Sequence, residues 1–552
     1  MKRNKYNLSN YHMTTFDAGF LVPINLMEVL PGDTVQQTTS ALIRTVPLVA
    51  PAMHPTHIRI HHFFVPHRLV WDDWEDFITQ SGQHSTDGGS GSNAPFGDHV
   101  PSVSPEFAEH TPGTSSSINL FNNQDILKLP TVRLDRHHET TGQTKLQLWK
   151  HSLANFYGIP ALTYDNDGLA EALRINALPF RGYQLIWNEY FRDQQIQRPL
   201  KINTGYDSTE ESPESFWNIL RRVNWGRDRY TSCTHTDDGG DVRIPFDPLS
   251  LRLQGIGVNK GQTPSTDVDV HGSSGFDETY AKSLGGGNVH VKTDNDGKPD
   301  IDISGYSEST ITDLKHAMAL QRYAEARLRY GSRYTEYLRY LGVRSSDGRL
   351  QRPEYLGGGK QTLQFSEIVS TANTNQGNVG DLAGHGIAAL KSNRYRRYFE
   401  EHGYVHSFAS IRPMSLYEQG IPRDFEKAYL DEFYQKEFNN IGKDRISNNE
   451  LYAHNPKSKD SFFGYQSRYD EYRRSINRVS GEFRAAGKDA SSGTYKDWHL
   501  SRIFGNQPVL GDQFIQCKPN KRIFSETGDP SHPFQAMFRN SIQARRMVGR
   551  AK

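Results

Sequence analysis

The chain has 552 residues, with 64 Lys and Arg against 63 Asp and Glu, so at a formal charge of +1 no global field draws it to nucleic acid or to an anionic surface; any such contact has to be local. Hydrophobic residues make up 35%, enough for sizeable cores, and no run approaches the roughly 18 apolar residues of a membrane span, so neither a transmembrane helix nor a signal peptide is expected. Two cysteines far apart, Cys233 and Cys517, exclude a disulfide framework and a Cys-rich zinc module, and fit a reducing compartment.

Along the chain, the N-terminus opens with Lys2, Arg3 and Lys5, ahead of the first acid at Asp17. Thr34 to Val46 and His57 to Val65 (HIRIHHFFV) lack a helical apolar stripe and are rich in residues that suit a pleated chain, so both are expected to be strands. A short helix is expected to carry Trp71, Trp74 and Phe77. Ser81 to Ser117 is dense in Gly, Ser and Pro and reads as a long exposed loop. Asp237 to Tyr306 is Gly-rich, with twelve acidic residues against six basic, and reads as a surface insertion of net charge −6. Thr310 and Asp313 form a capping-box-like start for a helix through Leu314, Met318 and Leu328, which Gly331 interrupts before RYTEYLRYLG resumes it. Gln361 to Thr371 and Tyr404 to Arg412 are two further strands, and Arg539 to Lys552 (RNSIQARRMVGRAK), with five basic residues and no acid, reads as a cationic tail. Strands scattered over the whole chain, joined by long irregular connections, suit an antiparallel sandwich or barrel with insertions better than alternating β/α units.

A search for chemistry finds little. No phosphate loop, H-E-x-x-H, G-x-S-x-G elbow or G-x-G-x-x-G after a strand is present. His57 and His61, and again His402 and His406, are four apart, but on strands that spacing separates them by about 13 Å, too far to share a metal. His61 and His62 then point to opposite faces. The Asp-rich stretch DNDGKPDID (Asp294 to Asp302) lacks the Glu at the twelfth position of an EF-hand loop. No catalytic residue, metal or cofactor is therefore assigned. Lys391, Arg394, Arg396 and Arg397 interleave with Tyr395 and Tyr398, a composition that could meet phosphates and bases, although Glu400 and Glu401 next to them favour an ion-paired face. The cationic ends offer Lys2, Arg3, Lys5, Arg545, Arg546 and Arg550 as candidate nucleic-acid contacts.

Several long motifs together resemble one family closely. They are TTFDAGFLVPINLMEVLPGDT (Thr14 to Thr34), FFVPHRLVWDDWEDF (Phe63 to Phe77), INALPFRGYQLIWNEYFRDQQIQ (Ile175 to Gln197), RYTEYLR (Arg333 to Arg339), DGRLQRPEYLGG (Asp347 to Gly358), EHGYVHSFASIRP (Glu401 to Pro413), FGYQSRYDEYRRSINRVSGEFR (Phe463 to Arg484) and DWHL (Asp497 to Leu500). In this order they resemble the major capsid protein of microviruses, small tailless bacteriophages with single-stranded DNA, and in particular the gokushovirus-like branch. The low-complexity loops, the His-rich HIRIHHFFV strand and the tail depart from the pattern.

The resemblance implies a mainly β fold, an eight-stranded antiparallel viral jelly roll with long loop insertions and a few helices, and a single capsid domain spanning the chain. It implies a structural protein, not an enzyme, about sixty copies of which form a T=1 icosahedral shell around single-stranded DNA. The companions it implies are a small basic DNA-packaging protein, an internal scaffolding protein, a DNA pilot protein and a bacterial surface receptor, with assembly in the host cytoplasm and residence in the virion. The acidic insertion, with Asp237, Asp277, Asp294 and Asp302, is expected outside the shell as the host-attachment element. A replication enzyme acting on single-stranded DNA and a host-binding spike module are the alternatives from other classes; the first needs a His-hydrophobic-His metal pair, which the sequence lacks.

Overall fold

Ten antiparallel strands carry the main sheet of the computed structural model. They are β1 (Asn4–Asn7), β2 (Asn10–Phe16), β3 (Val22–Val29), β4 (Thr34–Thr45), β5 (Thr56–Pro66), β6 (Glu354–Val369), β7 (Leu382–Lys391), β8 (Tyr395–Tyr398), β9 (Gly403–Pro413) and β10 (Phe534–Arg546). The structure describes residues 3–79, 129–134, 137–138, 147–164, 173–205, 216–235, 252–253, 256–258, 289–291, 301–302, 311–330, 333–369, 382–439, 442–455, 461–485, 493–525 and 531–549. The expected loop from Ser81 to Ser117 and nearly all of the Asp237 to Tyr306 insertion lie outside these residues.

The strands form two layers. In one, β1 and β2 run end to end along β10, followed by β4 and β7, with the short β8 also on β4. In the other, the order is β6, β5, β9, β3. β6 joins the layers, pairing with β5 through Leu363 and with β7 from Gln364 onward. Two facing antiparallel layers, with the first strands paired to the last, make the jelly-roll-like arrangement expected of the sequence.

Thr34 to Val46, His57 to Val65 and Tyr404 to Arg412 are strands as expected. β6 begins at Glu354, well before the expected Gln361, because its opening Gly357, Gly358 and Gly359 hide the strand signal. A Cβ on Gly358 would lie 2.1 Å from the Ile60 carbonyl oxygen, so the small residue is what lets β6 approach β5. The expected helix around Trp71 is displaced: a 3-10 turn at His67–Leu69 precedes Trp71, and the helix is only Trp74–Thr79. The stretch from Arg539, expected as a cationic tail, is strand as far as Arg546.

Inside the first layer and the second, alternation sets the core. Phe534, Ala536 and Phe538 of β10 point inward with Ala41 and Ile43 of β4 into one core with Ile58 and Ile60 of β5, while Ile542 and Val35 join a second cluster with Phe64, Phe399 and Val405. A polar band crosses this interior. His62, Ser392 and Ser407 are linked, since one imidazole nitrogen lies 2.8 Å from Ser407 Oγ and the other 3.2 Å from Ser392 Oγ. Gln37 donates to Ser407 Oγ and accepts from the Tyr395 hydroxyl, while Thr39 donates to Asn540. Every polar group in the band thus finds a partner where water does not reach.

The outer face of the β6–β5–β9–β3 layer is buried too. Trp71, Leu153, Phe156, the helix Leu178–Ile186, Trp217 and Val223 pack over it, and β9 is buried on both sides along most of its length. Tyr183 of that helix rests edge-on against Phe408 of β9, and its hydroxyl donates to the Leu21 carbonyl and accepts from the Arg221 amide. A subsidiary core, built from Tyr230, Tyr417, Ile446, Leu451, Phe463 and Phe514, surrounds the buried Arg229–Glu450 ion pair, 3.0 Å long.

The chain divides into two units, one comprising Met1–Asp237 with Ser332–Lys552, the other Asp238–Gly331. The strands above belong to the first. In the second, Arg252–Leu253 pairs with Ile301–Asp302 and Ile256–Val258 with Val289–Val291, ahead of a helix, Ile311–Tyr330. A further helix, Tyr334–Tyr340, belongs to the first unit, and the break expected at Gly331 lies outside the described residues.

Candidate functional site

The first layer contrasts with the second. Burial along β10 strictly alternates, so Gln535, Met537, Arg539, Ser541, Gln543 and Arg545 are exposed and face outward, with nothing laid over them among the described residues, whereas the equivalent face of the other layer is covered. An antiparallel sheet with one bare face shows this alternation, and its outward residues are free to meet a partner.

Register places these residues in rows. Lys5, Arg545, Thr34 and Tyr398 lie side by side across β1, β10, β4 and β8. Asn7, Gln543, Gln36 and Arg396 form the next row. Further along, Tyr11, Arg539, Ser40 and Lys391 cross β2, β10, β4 and β7, followed by Met13, Met537, Leu42 and Ala389. The last row is Thr15, Gln535, Arg44 and Ile387. Directly opposite residues on adjacent strands share a face at about 5 Å separation.

The outward positions therefore include Lys5, Arg44, Lys391, Arg396, Arg539 and Arg545, and no Asp or Glu. Aromatic and sulfur-bearing side chains stand among the cations: Tyr11, Met13 and Tyr398 are at least half exposed. Arg539 lies 5.8 Å from the centre of the Tyr11 ring, and Arg3 lies 5.7 Å from that of Tyr398. Cations for phosphates beside rings for bases are the two ingredients of a surface that binds a single nucleic-acid strand.

The six terminal residues expected to contact nucleic acid separate here. Lys5 and Arg545 meet on the bare face. Arg3 is tied down, donating to the Gly32 carbonyl and to Thr34 Oγ1. Arg546 turns to the edge, where it pairs with Asp33 at 2.9 Å and donates to the Glu28 carbonyl. Lys2 and Arg550 lie outside the described residues. Sequence reasoning missed Arg44 and Tyr11 and placed Arg539 in a free cationic tail rather than on a sheet; the signal that could have found the strand is the period of two in FQAMFRNSIQARR, which marks a half-exposed strand. Of the middle cluster, Arg396 joins the face, Arg397 pairs with Glu354 at 2.9 Å, and Tyr395 is buried on Gln37. Asp237, Asp277 and Asp294 lie outside the described residues, and Asp302 is placed only as the end of a short strand.

The histidines are structural in their surroundings. His57 and His61 share one face of β5, and His62 takes the opposite face as expected. Burial pushes the imidazole of His61 down to about 3, with Phe191 edge-on to its ring. His406 is likewise pushed down to about 3 by burial, and its Nδ1 lies 3.0 Å from the Tyr157 hydroxyl, while His402 packs against Trp74. Among the described residues no three His, Cys, Asp or Glu side chains converge as a metal would require. No helix among them is long and apolar enough to cross a membrane.

Comparison with known proteins decides what kind of molecule carries this face. The family model described as capsid protein (F protein) matches residues 1–112 and 162–550. The chain belongs to this phage capsid protein family. It is similar to capsid protein VP1 of Bdellovibrio phage phiMH2K, with 30% identity over 93% of this chain and 88% of the relative. Capsid protein VP1 of Chlamydia phage 1 is 28% identical over 94% of this chain and 89% of the relative, and that of Spiroplasma virus 4 is 25% identical over 93% and 87%. The resemblance to microvirus capsid proteins is borne out over most of the length. A member of this family is a structural protein of the virion that self-assembles into a shell.

Proposed function

We propose that about sixty copies of this capsid protein close a T=1 icosahedral shell in the host cytoplasm, and that the bare face of the β1/β2–β10–β4–β7 layer is turned inward to the packaged single-stranded DNA. The observation that carries this reading is the composition of that face, with six cations, exposed rings and no acid, on a chain whose net charge is only +1. Cations gathered on one face release counterions when they meet phosphates, whereas the same cations spread evenly would not form a site.

Six cations per copy leave most of the genome charge unneutralised, which favours a separate small basic packaging protein inside the shell. An internal scaffolding protein and a DNA pilot protein are expected companions from the resemblance alone. The acidic Asp237 to Tyr306 segment suits the exterior, where its −6 charge is not repelled by DNA, and there it meets a bacterial surface receptor. Replacing it by a short Gly/Ser linker should leave particles assembling while adsorption to host cells falls; unchanged adsorption would place the receptor site elsewhere.

The face is tested by changing Lys5, Arg44, Arg539 and Arg545 to Gln, singly and together, and measuring binding of the purified, unassembled chain to a single-stranded oligonucleotide at several salt concentrations. The slope of log affinity against log salt should become shallower by about 0.7 for each cation removed. A slope unchanged in the quadruple variant would turn this face away from the DNA.

A further inference from the structure

After β9 the chain makes a segment of 18 residues, Ile421 to Phe438, with three short 3-10 turns at Arg423–Phe425, Leu430–Glu432 and Lys436–Phe438. Its large apolar side chains point the wrong way for a protein that stays alone. Phe425 is 77% exposed, Tyr429 73% and Leu430 78%, and Phe433, Tyr434 and the adjacent Tyr472 are each more than half exposed.

This exposure is not the looseness of an unpacked loop, because polar bonds hold the segment from beneath. Glu432 accepts from the backbone amides of Ala428 and Tyr429 and pairs with Arg423 at 3.0 Å. Lys427 reaches Glu471 at 2.9 Å and lies 4.3 Å from the centre of the Tyr472 ring. The buried Tyr469 accepts from the Gln435 amide and donates to the Asp431 carbonyl, with Tyr434 packed 5.3 Å away. The backbone is thus fixed by its charged and polar groups, and the rings are left over as a preorganised surface, which lowers the entropy cost of docking.

We propose that this aromatic patch is a contact between copies of the chain in the shell, an inference that rests on the shell reading above. Taking about 200 Å² for each of the six side chains at its observed exposure, the patch offers roughly 750 Å². That exceeds the few hundred Å² of apolar patch usual on a monomer and approaches the about 800 Å² that each partner gives to a stable interface. A shell subunit is surrounded by copies of itself, so the partner present at high enough local concentration to cover such a surface in every protomer is a second copy of this chain. Tyr- and Phe-rich patches are also what the centre of such an interface is made of.

The test uses the full chain expressed with the phage's other structural proteins. A photo-crosslinking amino acid in place of Tyr429 should, on irradiation of assembled particles, join two copies of this chain; a crosslink solely to a different protein, or none, would overturn the proposal. Independently, the double variant Phe425→Ser with Leu430→Ser should remain soluble with an unchanged melting profile while the fraction sedimenting as particles falls roughly tenfold or more. If the wild-type chain forms particles and the double variant does so equally, the patch is not the contact although the shell reading stands. If the wild-type chain forms no shell-sized particles at all, the shell reading itself is overturned.

Discussion

His62 sits fully buried between two serine hydroxyls, and its protonation has a definite sign for stability. Burial pushes its imidazole down from about 6.5 to about 4, so the unfolded chain takes up a proton before the folded one does. Its contribution is fully present above about pH 6.5 and is lost as pH falls towards 4, up to about 3 kcal/mol. We expect His62→Gln, which can keep a serine bond, to cost about 1–2 kcal/mol at pH 7 and to make the fall in stability between pH 6.5 and 4 shallower by one proton, measured by urea unfolding across that range. The alternation of HIRIHHFFV made the opposite directions of His61 and His62 legible in the sequence. The polar band was not, since Gln37, Thr39 and Asn540 are residue types that usually face water, and only their mutual proximity makes an interior place for them.

β10 shows why an element can be legible in pattern and still be misjudged. Its inward and outward residues alternate for its whole length, yet the density of Arg towards its end suggests a free tail, and the strands that pair with it lie roughly five hundred residues upstream. Local sequence reports the period but not the partner. Phe538, fully buried beside Phe16, should cost about 3–5 kcal/mol when changed to Ala, whereas Arg539→Gln on the bare face should stay within about 0.5 kcal/mol, compared by thermal or urea unfolding. The same long-range logic governs Arg229 and Glu450, which no motif links. Arg229→Ala leaves a buried carboxylate without its partner, and a loss of about 3–5 kcal/mol is the expected reading in the same assay.

At the scale of the whole molecule, the two layers differ: one is built into the body of the protein by an extra covering of helices and loops, while the other is bare among the described residues, as the proposed inward face requires. Four expected strands and the family motifs made the jelly-roll class legible from sequence, because strands separated by insertions keep their local pattern. Which layer would be covered was not, because it depends on distant aromatic residues such as Trp71, Trp217 and Tyr183 converging on β9.

β10 also comes last in sequence among the described strands of the sheet, and it lies inside its layer, between the N-terminal strands and β4. During synthesis, then, β1, β2 and β4 emerge early but must wait for almost the entire remaining chain before the element that joins them leaves the ribosome. Closing contacts of such high sequence separation is slow, and unpaired strand edges invite association with the wrong chain in the meantime. A nascent shell protein is therefore vulnerable until β10 emerges, and chains cut short after Ser525, which lack only this strand of the sheet, should collect in the insoluble fraction.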